Sequence, residues 1–241
     1  MMCSEAALRA GAGLVTLYAH ESTYAILATA ASPEVMVKPV ADYRGLLDDQ
    51  LDVVAIGPGL GHERADEVLE IVESDLRPMV VDADALNIIA GAGADEVLKK
   101  CGGPRLLTPH PGEMARLWSE MPAGLGRREA ARDFVERNGV TLLWKGARTL
   151  VTEKGRAAAY NSTGHPGMAS GGMGDVLTGI AAGWVAQGLG VYDAGCVASW
   201  LLGRGAELAC RMEGVAEESV TATDVIAQLG RATAELKWGG S

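Results

Sequence analysis

The chain has 241 residues, of which 48% are hydrophobic and 22% charged, the usual composition of a globular protein with one sizeable core. Its formal net charge of −10 at pH 7 argues against nucleic acid or an anionic membrane as a partner, because both need a basic face. A small anionic ligand is compatible with this charge, since backbone amides in a pocket can oppose the overall field.

The cysteines and the start of the chain predict a soluble, cytoplasmic protein. Cys3, Cys101, Cys196 and Cys210 form no C-x-x-C pair and have no histidine at zinc-ligand spacing, so we expect reduced, mostly buried thiols. The first residues lack the basic and apolar regions of a secretory signal. No apolar run reaches the ~20 residues that a membrane span needs.

Strand-like and helix-like stretches alternate along the chain, which predicts an α/β fold with a largely parallel sheet. Apolar runs predict strands over 14–18, 52–56, 78–81, 106–108 and 141–144. Helical patterns predict helices over 5–12, 24–31, 63–75, 127–138, 174–187, 192–212 and 223–236. A β-hairpin is predicted over 149–160 and a frayed end over 239–241. Without a linker or repeat, we expect a single domain over 1–241.

Four polar or glycine-rich clusters follow predicted strands, and a fifth leads into a helix. In open α/β sheets, ligands bind outside the carboxyl ends of the strands, so the clusters are expected to converge on one site. The clusters cover residues 57–61, 82–87, 108–113, 145–149 and 161–175.

The run from Gly171 to Asp175 (GGMGD) opens the helix predicted over 174–187. Its glycines, Gly172 and Gly174 among them, let backbone N–H groups turn toward one point, to which the helix adds its positive end. Such a nest suits a phosphate, or the charge of a transferring phosphoryl group. Asp175 is then a candidate base for an alcohol. Alternatively, the glycines form only a tight turn and Asp175 is a helix cap.

The loop KGART follows the strand predicted over 141–144. Its lysine, arginine and backbone amides are candidates to hold nucleotide phosphates, the alternative being a solvated basic edge. The residues concerned are Lys145, Gly146, Ala147, Arg148 and Thr149.

The run TPHPGE over 108–113 contains two prolines, which predict a rigid turn that exposes His110 and Glu113. Neutral His110 is a candidate to hydrogen-bond a ligand, and Glu113 is a candidate to hold Mg²⁺ through water. The alternative for His110 is a turn histidine whose hydrogen bonds are satisfied within the protein.

The run DADALN over 82–87 places two carboxylates and the Asn87 amide at another strand end. Because side chains alternate along a strand, we expect only one of Asp82 and Asp84 to face a ligand, unless Asp84 caps the next helix. The glycines of 57–61 allow a ligand to approach the backbone closely. No Walker A loop, Rossmann fingerprint or G-x-S-x-G elbow occurs, so nucleotide binding must use the loops at Lys145 and Gly171.

These motifs resemble, in order and over nearly the whole chain, the ADP- or ATP-dependent NAD(P)H-hydrate dehydratases of the ribokinase-like fold. The matching runs are 7–15, 57–61, 82–87, 108–113, 145–149 and 167–179. The resemblance implies a three-layer αβα sandwich with a mostly parallel central sheet. It also implies ADP or ATP as co-substrate, Mg²⁺, and a homo-oligomer, with a tetramer as the expected form.

The resemblance implies that the hydroxyl of hydrated NADH or NADPH is phosphorylated and that phosphate then leaves, which restores the reduced ring. By matching position, Asp175 would be the base, and Gly172 and Gly174 would belong to the anion hole. The loop over 145–149 would hold the nucleotide. Substrate contacts would come from Gly59, Asn87, His110 and Asp175.

The sequence departs from the family in two places. The family begins with a strand and a Gly-Gly-Ser-type loop ahead of the helix that contains Ala7, whereas the first element predicted here is that helix, so a first strand is expected to be lacking. His165 stands where the family usually has Asn.

Two other functions compete with the dehydratase. A ribokinase-fold kinase for a small alcohol would share the anion hole, but is not expected to carry the 108–113 turn in this form. The other alternative is a nucleotide-binding remnant without activity, or half of a larger assembly, because the first strand and loop help to bind substrate in the family.

Overall fold

The computed structural model describes residues 1–212 and 216–239, and the chain divides into two compact units. The first unit contains residues 1–41, 162–189 and the described part of 197–241, and the second contains residues 42–161 and 190–196. Residues 240 and 241 of the predicted frayed end lie outside the described residues. The single domain expected over 1–241 stays a prediction.

The elements alternate between strand and helix over most of the chain. The helices are α1 (Met2–Arg9), α2 (Glu21–Ala30), α3 (Ala65–Ser74), α4 (Ala83–Ala92), α5 (Ala94–Leu98), α6 (Pro111–Leu117), α7 (Arg127–Asn138), α8 (Met173–Ala186), α9 (Val191–Ala209) and α10 (Ala222–Trp238). The strands are β1 (Val15–His20), β2 (Val35–Val40), β3 (Val54–Ile56), β4 (Met79–Val81), β5 (Arg105–Leu107), β6 (Thr141–Trp144), β7 (Leu150–Thr152) and β8 (Ala159–Tyr160). Short 3-10 helices cover Tyr43–Asp48, Pro166–Met168 and Glu217–Ser219. No helix in the described ranges is both long and apolar enough to cross a membrane.

The second unit is built on a six-stranded sheet in the order β3-β4-β5-β6-β7-β8. Neighbouring strands from β3 to β6 are parallel, whereas β7 and β8 add antiparallel pairs. Every residue of β4, β5 and β6 is buried, as expected for parallel strands that are covered on both faces. The predicted α/β class, the mostly parallel sheet and the hairpin over 149–160 are confirmed.

The first unit contains a parallel pair, β1 and β2, and the helices α1, α8 and α10, which pack against one another. The close approach of α1 to α8 depends on two glycines of α8. A Cβ atom at Gly179 would lie 2.1 Å from the carbonyl oxygen of Cys3, and one at Gly183 would lie 2.9 Å from the carbonyl oxygen of Ala7. The backbone of α1 therefore rests directly on α8.

Several elements differ from the sequence prediction. Helix α1 ends at Arg9, before the predicted end at residue 12, and Gly11 adopts a positive φ of 105°. Strand β2 was not predicted; it contains Pro39, which a strand tolerates only at an edge or a terminus. Residues 108–113 were predicted as a turn, but helix α6 begins at Pro111. Proline suits the first position of a helix as well as a turn, so the sequence does not distinguish the two.

We predict that Gly179→Ala lowers the free energy of unfolding by about 2 kcal/mol, since the added methyl group would overlap the α1 backbone. Urea unfolding followed by circular dichroism measures the change. Gly230→Ala is the matched control, because a Cβ there meets nothing within 4 Å and Gly230 also lies inside a helix, α10. It should be neutral or stabilising by up to about 1 kcal/mol. Equal destabilisation by both substitutions would contradict the packing argument.

Candidate active site

The four predicted strand-end clusters meet at one edge of the six-stranded sheet. They follow β3, β4, β5 and β6, which are adjacent and parallel, so their carboxyl ends point the same way. This confirms the expected convergence of residues 57–61, 82–87, 108–113 and 145–149 within the second unit. It is the edge at which open α/β sheets bind ligands.

The glycine loop after β3 packs tightly on the end of β4. Gly57 has a φ of 123°, and a Cβ atom there would lie 1.8 Å from the carbonyl oxygen of Asp82, so only glycine fits. The backbone N–H of Gly61 donates to Oδ2 of Asp84 at 2.8 Å. Gly59 is exposed, and a Cβ atom there would meet nothing within 4 Å, which leaves room for a ligand.

The two carboxylates after β4 have different environments. Asp82 is 1% exposed, whereas the Asp84 side chain keeps 29% of its accessible surface. Asp84 does not cap α4, because the N-cap residue is Asp82 and Asp84 accepts instead from Gly61. Between them, Ala83 has a φ of 50°, a left-handed conformation that costs a non-glycine residue on the order of 1 kcal/mol. Such local strain is most often found at functional sites.

The ammonium group of Lys145 lies between two carboxylates and so connects the segments that follow three of the strands. The Nζ of Lys145 lies 2.7 Å from Oδ1 of Asp82 and 3.5 Å from Oε2 of Glu113. The exposed fractions of these side chains are 19% for Lys145, 1% for Asp82 and 7% for Glu113. The Lys145 ammonium therefore has two anionic partners within the protein.

The expectation that the 108–113 turn exposes Glu113 is wrong. Glu113 is the third residue of α6, and its carboxylate accepts the N–H of His110 at 2.7 Å, as the acidic half of a capping box. His110 is half-exposed, as expected, but its Nδ1 accepts the N–H of Gly112 at 2.9 Å. These contacts favour the alternative in which His110 has a structural role, although its exposed ring face leaves a ligand contact open.

The loop after β6 is held by Arg127, a residue that the sequence prediction missed. Its guanidinium donates to the carbonyl oxygens of Lys145, Ala147 and Arg148 at 3.1 to 3.2 Å. Burial lowers the pKa of Arg127 from its ordinary value. Residues 146–148 are exposed, so the loop presents Arg148 and its backbone to solvent while Arg127 binds its carbonyls.

Asn87, in α4, is another predicted residue at this edge. Its Oδ1 accepts from Nε of Arg116, in α6, at 2.8 Å. Arg116 was also missed, because nothing in the sequence pairs two residues that are 29 positions apart.

The glycine turn and Asp175 lie in the first unit, at the start of α8. Gly172 is the N-cap residue, with a φ of 88°. This left-handed backbone conformation favours glycine at position 172. Asp175 is half-buried in the first helical turn, and Gly174 precedes it. Because Gly172 is the cap, the alternative that Asp175 is the N-terminal cap is wrong.

The structure shows the role of His165, which stands where the family usually has Asn. It is the N-cap residue of the 3-10 helix Pro166–Met168, and its Nδ1 accepts the N–H of Gly167 at 3.2 Å. Asparagine is among the preferred N-cap residues, so histidine performs the same capping role here.

Glu113 is the one residue that the sequence indicates as a candidate to hold a metal ion, through water. Across residues 1–212 and 216–239, no group of three or more His, Cys, Asp or Glu residues is placed to hold a metal ion.

We predict that Lys145→Met lowers the free energy of unfolding by about 3 to 5 kcal/mol, because it leaves the buried carboxylates of Asp82 and Glu113 without their cation. Urea unfolding measures the change. Lys154→Met is the matched control, since Lys154 is 65% exposed and pairs with Glu136 at 3.5 Å. It should cost less than about 1 kcal/mol. A similar small cost for both variants would contradict the structural role of Lys145.

Comparison of the sequence with known proteins identifies the family. The family model described as NAD(P)H-hydrate dehydratase matches residues 1–231. The bifunctional NAD(P)H-hydrate repair enzyme of Moorella thermoacetica is 40% identical over 88% of this chain and 43% of its own length. The ADP-dependent (S)-NAD(P)H-hydrate dehydratase of Neisseria meningitidis is 32% identical over 90% of this chain and 74% of its own length. The chain thus spans less than half the length of several bifunctional relatives.

Solved structures agree with this result. The ADP/ATP-dependent NAD(P)H-hydrate dehydratase of Bacillus subtilis has a TM-score of 0.81 and 26% identity over 98% of this chain and 86% of its own. A ribokinase-like superfamily protein of Enterococcus faecalis has a TM-score of 0.80 and 27% identity over 97% of this chain and 81% of its own. The fold is therefore the ribokinase-like α/β fold with a mixed, mostly parallel sheet, and the chain belongs to the NAD(P)H-hydrate dehydratase family.

Proposed function

We propose that this chain uses ADP or ATP to dehydrate hydrated NADH or NADPH, which returns the reduced cofactor. The observation that carries the proposal is the start of α8, where Gly172 opens the helix and a half-buried Asp175 follows in the first turn. Family membership gives the substrate class, because the Neisseria meningitidis relative is an ADP-dependent dehydratase of hydrated NAD(P)H.

Asp175 is the proposed base. It accepts the proton of the substrate hydroxyl as that oxygen attacks the terminal phosphoryl group, while the bond from phosphorus to the nucleotide breaks. Backbone N–H groups at Gly172 and Gly174 stabilise the charge on the transferring group. In the second step the C–O bond of the phosphate ester breaks, and phosphate leaves with the former hydroxyl oxygen. The adjacent ring carbon loses a proton to solvent, and the double bond returns. Neither step needs a covalent nucleophile on the protein.

The loop from Lys145 to Thr149 is proposed to hold the nucleotide, together with Gly172 and Gly174. Exposed Arg148 and the loop amides suit phosphate oxygens, because their N–H groups are donors on an accessible surface. Lys145 serves the nucleotide through the loop that it anchors, since its ammonium is shared between Asp82 and Glu113.

Gly59, Asn87 and His110 are proposed to contact the hydrated dinucleotide, beside Asp175. Gly59 is open to the approach of a ligand, and the ring of His110 is half-exposed. Asn87 would act through its amide nitrogen, because Arg116 binds its oxygen.

Mg²⁺ does not fit at Glu113. The Glu113 carboxylate accepts the His110 N–H and faces the Lys145 ammonium, so it already has a donor and a cation. The Bacillus subtilis enzyme was co-crystallised with ATP/Mg²⁺, and we infer that Mg²⁺ arrives here with the nucleotide.

Four other expectations from the sequence stay predictions. They are the three-layer arrangement, the lack of a first strand, the homo-oligomer with a tetramer as the expected form, and the cytoplasmic location.

Incubation of the purified chain with hydrated NADH, ADP and Mg²⁺ tests the activity, by recovery of the absorbance of reduced nicotinamide. We expect recovery that depends on nucleotide. A stable phosphate ester in place of NADH would favour the kinase alternative. Binding of ADP without recovery would favour the nucleotide-binding remnant.

We predict that Asp175→Asn lowers kcat by at least about 100-fold and leaves ADP affinity nearly unchanged, because it removes the base but keeps the shape of the turn. Steady-state kinetics and titration calorimetry measure the two effects. Asp224→Asn is the matched control, since Asp224 occupies the same third position of its helix, in α10. It should keep kcat. Equal loss of kcat and ADP affinity in Asp175→Asn would contradict the assigned role.

A further inference from the structure

A thiol, an imidazole and a carboxylate stand in line in the first unit, apart from the residues assigned to the proposed reaction. The Sγ of Cys210, just after α9, lies 3.2 Å from Nδ1 of His165. On the other side of the ring, Nε2 lies 3.4 Å from Oε1 of Glu217. This is the arrangement of an activated nucleophile, in which a base lies next to the nucleophile and a third group orients the base.

A backbone hydrogen bond assigns the ring protons. The N–H of Gly167 donates to Nδ1 of His165 at 3.2 Å, so Nδ1 is the acceptor nitrogen of the neutral ring. Nε2 then carries the ring proton and donates toward the Glu217 carboxylate. The thiol of Cys210 must therefore be the donor in its contact with Nδ1.

The cluster does not suit a metal ion, because the sulfur and the carboxylate lie on opposite ring nitrogens. Burial first, and then the Glu217 carboxylate, raise the pKa of Cys210, so the thiol keeps its proton unless a nearby group accepts it. The Nδ1 atom of His165 is placed to do so. Cys210 is only half-buried, which lets a small reagent reach the sulfur.

We propose that Cys210 is a peroxide-sensitive site that forms a sulfenic acid, with His165 as its proton acceptor and Glu217 orienting the ring. The sulfur attacks one oxygen of hydrogen peroxide, so that an S–O bond forms as the O–O bond breaks. The thiol proton passes through Nδ1 of His165 to the departing hydroxide, which leaves as water. Sulfur is oxidised by two electrons and the peroxide is reduced by two.

The position of the thiol connects this oxidation to the proposed phosphoryl site. A Cβ atom at Gly167 would lie 3.4 Å from Sγ of Cys210 and 2.5 Å from the carbonyl oxygen of Glu217, so the turn Pro166–Met168 has little free space around it. The chain continues from this turn through Ser170 into the glycine turn at Gly171. An added oxygen on Cys210 should therefore displace the Pro166–Met168 turn and lower turnover, an effect that rests on the proposed function.

The test is the capture of sulfenic acid by dimedone after peroxide treatment of the full chain, with the modified peptides counted by mass spectrometry. Cys101 is the internal reference, because it too is half-buried and burial raises its pKa, but its thiol donates to the carbonyl of Val97. We expect capture at Cys210 to be at least about tenfold faster than at Cys101. His165→Asn, which keeps a capping side chain but removes the base, should lower the Cys210 rate about tenfold.

Melting temperature gives a readout that does not depend on enzyme activity. Peroxide should lower the melting temperature of the unsubstituted chain by a few degrees and leave Cys210→Ser unchanged. The same treatment should lower turnover of hydrated NADH only where Cys210 is present. If the chain proves inactive on that substrate, the capture rates and melting temperatures still show whether Cys210 is the oxidised residue.

Capture at Cys210 that is no faster than at Cys101 would overturn the proposal. An unchanged Cys210 rate in a folded His165→Asn variant would overturn the role of His165. Oxidation of Cys210 without a change in melting temperature or turnover would overturn the connection to the glycine turn.

Discussion

The ammonium of Lys145, held between the buried carboxylates of Asp82 and Glu113, is the interaction on which the strand-end edge of the second unit depends. It connects the residues that follow β4, β5 and β6, three neighbouring strands of the sheet. A charge that is buried among opposite charges tolerates little displacement, because separating the ammonium from a carboxylate weakens their ion pair in a poorly solvating interior. The same residues that suggested a ligand site therefore form part of its rigid support.

This constraint separates two kinds of functional residue. Asp82, Glu113 and Arg127 bind other protein groups and set the positions of the loops. Gly59, Arg148 and the ring of His110 are left accessible on those loops. In the first unit, Gly172 provides the left-handed turn that begins α8 and so places Asp175 in the first helical turn. Phosphoryl transfer depends mainly on fixed donors and correct positions, and each unit taken by itself contains rigid elements of this kind.

Much of the fold could be predicted from local patterns in the sequence. Helix α7 and strand β6 have the predicted bounds, since their hydrophobic pattern is clear and Gly139 ends the helix with a φ of 67°. The placement of four clusters at strand ends also followed from the alternation of elements. The partners of the site residues could not be predicted in this way. Lys145 and Asp82 are 63 positions apart, and their contact depends on strand order. The prolines around His110 fit a turn and a helix start equally well, which is why the burial of Glu113 was missed.

We propose that the reaction passes through a phosphorylated intermediate between hydrated NADH and NADH. A heavy-isotope label on the ring hydroxyl oxygen of the substrate tests this intermediate most directly. That oxygen should leave with phosphate when the C–O bond of the ester breaks. We predict that the label is recovered in inorganic phosphate, measured by mass spectrometry after a single turnover with ADP. Recovery of the label in water, with unlabelled phosphate, would show that the hydroxyl leaves without being phosphorylated and would contradict the account.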